Sequence, residues 1–123
     1  MIDLWRRAGA TPSRTDTPEE LRRAITHPAT CILLAEAREQ LVGSILGTFD
    51  GWRGNIYRLV VHPEHRRQGI ASALVAEVEE HFRQAGAKRI TALVEKDHPG
   101  AVGFWEATNF ALDTRIVRYV RTL

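Results

Sequence analysis

The 123-residue sequence predicts an α+β domain built around a mixed sheet, with element order ααβββαβαβ. Three observations carry that prediction. Between residues 30 and 61 lie three apolar, strand-forming runs at hairpin spacing, which read as an antiparallel meander. From Ile70 the apolar period changes. Ile70, Leu74, Val78 and Phe82 lie four apart with Ala71 and Val75 beside them, a helical stripe. A further strand-like run, RITALV at 89–94, follows that helix, so the third strand, the helix and this strand form a right-handed crossover.

Each element has its own punctuation. DLWRRAG reads as a short helix closed by Gly9, and TPSRTDTP as a loop. Thr17 caps the next helix, with Pro18 at its first position and Glu20 completing a capping box. Leu21, Ala24 and Ile25 share the apolar face of that helix, which ends before Pro28. TCILLAEA, LVGSILGTF and NIYRLVV are the meander strands, separated by REQ and by the glycine-bounded DGWRG. Gly86 closes the long helix. EKDHPG leads to a short helix in which Ala101, Phe104, Trp105 and Thr108 share a face. The tail FALDTRIVRYVRTL is expected to form one or two β segments, with Val117, Tyr119 and Leu123 alternating with basic residues.

Composition narrows the function. A hydrophobic fraction of 44% and a charged fraction of 26% are those of an ordinary globular chain. One domain over residues 1–123 is expected, large enough to bury a core without disulfides or metal. No run approaches the roughly 18 apolar residues of a membrane span. The N-terminus carries Asp3 and no apolar signal core. Cys31, the single cysteine, has no internal partner and no zinc pattern near it, so a cytoplasmic location is expected. The net charge of +2 does not argue for a nucleic-acid partner and suits a small anionic ligand equally well. A recognition helix on DNA is further opposed by Glu77, Glu79 and Glu80. His62 and His65 flank Pro63 with no third ligand, so no metal site is expected.

The stretch VVHPEHRRQGIAS, residues 60–72, carries the chemistry. It runs from a strand end into a helix N-terminus, where four backbone N–H groups lack partners and the helix dipole is positive. Gly69 and Ala71 let an anion approach the backbone, the amides of Gln68, Gly69, Ile70, Ala71 and Ser72 can point at it, and Arg66 and Arg67 add charge. Pro63 ends the strand and frees the chain to turn.

VVHPEHRRQGIASALV resembles the acetyl-CoA-binding segment of the GNAT family of N-acetyltransferases, with its Arg/Gln-x-x-Gly-x-Gly/Ala signature. DHPGAVGFWEATNF resembles the segment that follows in that family, usually Asn-x-x-Ala-x-x-Phe-Tyr-x-x-x-Gly-Phe. The resemblance spans residues 17–123 and is greatest to small bacterial members. It implies a three-layer fold, a mixed twisted sheet with helices on both faces. It also implies acetyl-CoA as cosubstrate and direct attack by a primary amine of a small molecule, peptide or protein, with Cys31 taking no part. Gln68 to Ser72 would hold the pyrophosphate, and the backbone of Leu59, Val60 and Val61 would pair with the pantetheine arm. The amide of Val60 or Val61 would stabilise the oxyanion.

The sequence departs from the family in four places. Trp105 stands where the family has the tyrosine that protonates the departing thiolate. Indole N–H donates but is no acid near neutral pH, so Trp105 either contacts the cofactor or belongs to the core. His98 replaces the usual asparagine; it is placed to contact the cofactor or to titrate. Asn55 occupies a position where several members carry a glutamate base; Tyr57, two residues on and facing the same way, is a candidate substitute, and Glu95 at the end of the next strand or loss of the proton to solvent are the alternatives. The catalytic candidates are therefore Tyr57, His98 and Trp105. The chain begins in a helix where family members begin with a strand, so the sheet is expected to lack its first edge strand. An open edge tends to pair, and a homodimer is one outcome. Trp5 and Trp52 are candidates for the wall of an acceptor groove. A competing expectation is a non-catalytic acyl-CoA-binding module, motivated by Trp105 and Asn55.

Overall fold

A two-residue hairpin sets the register of the sheet. Arg38 and Glu39 have φ of 51° and 66°, the paired left-handed conformation whose twist matches that of the flanking strands. The computed structural model describes residues 1–10, 13–95 and 100–123. These fall into two units, residues 1–93 and 94–123.

In the first unit, α1 is Ile2–Arg7, α2 Pro18–Thr26, β1 Thr30–Ala37, β2 Gln40–Phe49, β3 Gly54–Val61, α3 Ile70–Ala85 and β4 Ile90–Ala92. The strands form one mixed sheet in the order β1-β2-β3-β4. The first two pairings are antiparallel and β3–β4 is parallel. Thr17 caps α2 as expected, its hydroxyl accepting from Glu20 N–H at 3.2 Å. Of the expected apolar face of α2, Leu21 is buried, whereas Ile25 is 55% exposed beside the equally open Leu34 of β1. Among the described residues β1 pairs only with β2, so its other edge carries no strand.

Alternation along β2 assigns the two faces. Gly43 and Gly47 lie under α3, where a Cβ on Gly43 would meet Ile70 and Leu74 and one on Gly47 would sit 2.8 Å from Phe82 Cζ. Ser44 and Leu46 point the other way, toward α1 and α2. There Leu46 and Val60 join a core with Leu4, Trp5, Ala8 and Leu21. Gly47, with Gly54 of β3, explains how a helix bearing Phe82 settles so close to the sheet: the ring occupies the volume their side chains would need. Leu74, Val75, Val78 and Phe82 are all buried, the stripe expected from the sequence.

The second unit holds α4, Ala101–Ala107, entered through Gly100 at φ 79°. The β segments expected for the tail do not form: residues 109–123 contain no strand. The tail's apolar residues fall in pairs, Ile116–Val117 and Tyr119–Val120, between arginines three apart, so no single face is apolar at the strand period of two. Ile116, Val117, Tyr119 and Val120 are all more than two-thirds exposed. Among the described residues, no helix is long and apolar enough to cross a membrane.

The packing of Phe82 on glycine predicts a stability effect. Gly54→Ala would drive a Cβ into the ring of Phe82 and should destabilise the fold by about 1–3 kcal/mol. Urea unfolding measures this, and Phe82→Leu in the same chain should recover part of the loss relative to Phe82→Leu alone.

Candidate functional site

The site begins where the sheet comes apart. β3 and β4 pair over three positions, Gly54–Ile90, Asn55–Thr91 and Ile56–Ala92, followed by a last bond from Leu93 N–H to Ile56 C=O at 3.0 Å. β4 is thus shorter than the 89–94 expected. A bulge explains the break. Leu46 opposes Arg58 and Gly47 opposes Ile56, which leaves Tyr57 as an extra residue in β3. The bulge turns the strand and increases its twist, so a parallel neighbour cannot follow. Beyond it, residues 57–61 keep β2 on one side and have no strand on the other among the described residues. Such an edge offers backbone donors and acceptors to an extended ligand.

The bulge also breaks the period of two. Gly54 and Ile56 share the α3 face below it, whereas Arg58 and Val60 face α1 above it. Simple alternation therefore fails for Arg58, which would otherwise share the face of Gly54 and Ile56. Tyr57 sits at the turn itself and is 46% exposed. Leu59 and Val61 are half-buried and Val60 is buried.

The open edge runs straight into the phosphate-loop candidate. His62 N–H bonds Val42 C=O at 2.7 Å, extending the ladder by one bond. Pro63–His65 then make one 3₁₀ turn, capped by His62 Nδ1, which accepts from Glu64 N–H at 3.1 Å. Arg67 and Gly69 have φ of 63° and 81°. Two left-handed residues flanking Gln68 turn the backbone sharply into α3. Nothing lies within 4 Å of where a Gly69 Cβ would stand, so glycine is required there by its dihedral angle and not by crowding. In α3 the amide of Ala73 is the first to bond back, to Gly69 C=O at 3.0 Å. The amides of Ile70, Ala71 and Ser72 have no partner within the helix, and the first turn carries no acidic side chain. Gln68, Gly69 and Ser72 are exposed, and Ile70 and Ala71 half-buried. Unpaired amides at the positive end of a 16-residue helix are suited to an anion.

Arg66 and Arg67 are both exposed, and Arg66 reaches back to protein carbonyls. Its guanidinium donates to two backbone carbonyls, from Nε to Val61 at 3.4 Å and from Nη2 to Ala8 at 3.2 Å. His62 and His65 meet edge to face at 5.8 Å, and no group of three metal-ligating side chains occurs among the described residues.

On the opposite face of β2 and β3, a polar network that the sequence did not announce ties down the first helix and loop. Trp5 indole N–H donates to Ser44 Oγ at 2.9 Å, with both residues buried. Arg58 lies over the Trp5 ring and pairs with Asp16 at 2.5 Å. Asp16 also accepts from Ser13 N–H at 3.0 Å. Trp5, expected as a groove wall, is therefore core, because its N–H has a buried partner and its ring a cation above it. Trp52 remains exposed in its turn, stacked by Arg53 at 3.9 Å. That turn is closed by Asp50, whose carboxyl is held below its ordinary range by the amides of Arg53 and Trp52. The one hint in the sequence was Arg58, a charge in the apolar run NIYRLVV. Asp16, in a polar loop, gave none.

In the second unit, Trp105 is buried and packs edge to face against Phe104 at 5.3 Å and Phe110 at 4.8 Å. Thr108 Oγ1 and the Phe110 amide bond the Trp105 carbonyl at 2.9 and 3.0 Å. His98 lies outside the described residues. Cys31 stands on β1, and burial pushes its thiol above its ordinary pKa.

Residues 1–110 match the acetyltransferase (GNAT) family, and the chain belongs to that family. It is an acyltransferase, and acetyl transfer is its chemistry. An acetyltransferase of Pectobacterium atrosepticum is 33% identical over 110 residues, spanning 89% of this chain and 78% of the relative. A GNAT-family acetyltransferase of Streptococcus pneumoniae superposes with a TM-score of 0.74 at 27% identity, over 98% of this chain and 89% of the other. The aminoglycoside N-acetyltransferase AAC(6')-Iy, crystallised with coenzyme A, shares the fold with a TM-score of 0.78 at 14% identity, over 99% and 86% of the two chains.

Two outcomes follow from the buried groups. Asp16→Ala would leave Arg58 without its carboxylate in a setting where both side chains are less than one-fifth exposed. It should cost about 2 kcal/mol in urea unfolding, between the exposed and buried limits for such pairs. Because burial disfavours the Cys31 thiolate, maleimide should label the native protein at pH 7 more slowly than a free thiol. The rate should climb only as the pH passes above the ordinary thiol range; labelling at the free-cysteine rate would contradict this.

Proposed function

We propose that the chain transfers the acetyl group of acetyl-CoA to a primary amine by direct attack, in the cytoplasm. The observation that carries this is the continuity of the open β3 edge, starting at the Tyr57 bulge, with the amide-bearing turn at residues 67–72. A pantetheine arm is an extended amide-bearing chain that ends in a pyrophosphate, and it matches both parts in order. The backbone of Leu59, Val60 and Val61 pairs with its amides. Gln68, Gly69, Ile70, Ala71 and Ser72 hold the pyrophosphate, with Arg67 beside them.

The reaction then needs little from side chains. The amine nitrogen attacks the thioester carbon, and of the two candidate amides that of Val61, turned to the open edge while Val60 is turned to β2, donates to the developing oxyanion. The C–S bond breaks, coenzyme A leaves as thiolate, and the proton lost from nitrogen returns to sulfur or to solvent. Tyr57 is the side chain we assign to this proton movement, supported by its exposure at the bulge where the edge opens. His98 and Trp105 are the other candidates of the family pattern. The ring packing of Trp105 with Phe104 and Phe110 supports a core role for it. The acceptor is proposed only as a primary amine, of a small molecule or of a peptide or protein. The unpaired edge of β1 beside exposed Ile25 and Leu34 supports a homodimer, which a monomeric mass at micromolar concentration would refute.

A second reading, acyl-CoA binding with little turnover, is favoured by Trp105 in place of the acidic tyrosine and by Asn55 in place of a glutamate. Thiol release with a panel of amines separates the two. The proposed function requires turnover with at least one amine. Tyr57→Phe should then lower kcat by about 10²-fold or more, the usual range for one general acid or base, with acetyl-CoA affinity nearly unchanged. For the cofactor end, Gly69→Ala and Gly69→Glu share the strain of a side chain at φ 81°. Only the glutamate places negative charge at the amides. Calorimetry should find acetyl-CoA binding weakened in the first and abolished in the second. Equal affinity in both would overturn the phosphate site.

A further inference from the structure

The arginine that opens the phosphate motif is spent on protein carbonyls. Arg66 Nε reaches Val61 C=O, where β3 leaves its ladder. Arg66 Nη2 reaches Ala8 C=O, the C-cap of α1. A helix C-terminus presents carbonyls without intrahelical partners and the negative end of the dipole, and a guanidinium satisfies both. Arg66 itself is in an extended conformation, and the next residue, Arg67, enters the left-handed region. The backbone just past Arg66 is thus the first arm of the amide-bearing turn, and the side chain of Arg66 is what joins that arm to α1 and to the end of β3. Arg58 and Trp5 hold α1 and its loop to the same face of the sheet, so the anchor is itself fixed.

We infer that Arg66 is a positioning residue, a clamp that aligns the amides of residues 67–72 by tying the loop to α1. It does not act as a charge on the pyrophosphate. This rests on the proposed acetyl-CoA reading of the site. The clamp needs a planar fork that reaches two carbonyls at once, which lysine cannot supply although it keeps the charge. A phosphate charge at Arg66 would be served nearly as well by lysine.

The test compares Arg66→Lys and Arg66→Ala with the parent protein, by calorimetry with acetyl-CoA and by amide hydrogen exchange. The clamp predicts that both variants lose affinity to a similar degree, roughly ten-fold for hydrogen bonds of a charged donor. It also predicts faster exchange of the amides in residues 67–72 in both, without ligand present. A coupling test adds Leu4→Ala, which loosens α1 from its buried position. If Arg66 acts through α1, the affinity losses of Arg66→Ala and Leu4→Ala combine to less than their product. Lysine binding like the parent with unchanged exchange, or strictly multiplicative losses, would overturn the clamp. Failure of the parent protein itself to bind acetyl-CoA would instead overturn the cofactor reading, and the exchange data would still decide whether Arg66 orders the loop.

Discussion

β3 keeps its parallel partner for only three residues, and the rest of the site depends on that loss. A parallel ladder continued to Val61 would consume the backbone groups of β3. The extra residue at Tyr57 prevents it by twisting the strand away from β4. One inserted residue therefore leaves β3 beyond Ile56 with no strand on its β4 side among the described residues. An edge of this kind is costly unless something occupies it, and an extended ligand with its own amides is the natural occupant.

The geometry that makes the edge useful is supplied from both faces. On one, Gly47 and Gly54 let α3 descend until Phe82 fills the space of their absent side chains, and Gly43 makes the same room for Ile70 and Leu74. That brings the helix close against the sheet, with its N-terminus where β3 hands over to the loop. On the other face, Trp5, Ser44, Arg58 and Asp16 form a satisfied polar network inside an apolar layer. Such networks are costly when incomplete and specific when complete, and this one fixes α1 in a single position. α1 in turn offers Ala8 to Arg66. Sheet, helix and loop are thereby connected through contacts that can each be named.

The long helix, the meander and the anion-binding loop were legible in the sequence because each rests on a local pattern. The four-residue stripe from Ile70, the Thr17 cap and the glycine at position 69 all work within a few residues of themselves. The tail failed for a local reason as well: its arginines recur every three residues, so no alternating face exists to build a strand upon. The assignment of Arg66 to the phosphate followed from the motif's composition, yet the motif says only that a cation stands there. Where its side chain goes depends on α1, more than fifty residues earlier.

By itself the sequence determined the order of elements as far as α4, the family, and the conformational demand for glycine at the start of α3, since these follow from short-range periodicity, motif and backbone sterics. Only the tertiary structure decided where β3 and β4 part, which way Arg58 faces, that Trp5 is core, and what Arg66 holds. Each of these depends on which distant backbone comes alongside, and a bulge of one residue is enough to reverse a face that alternation alone would assign.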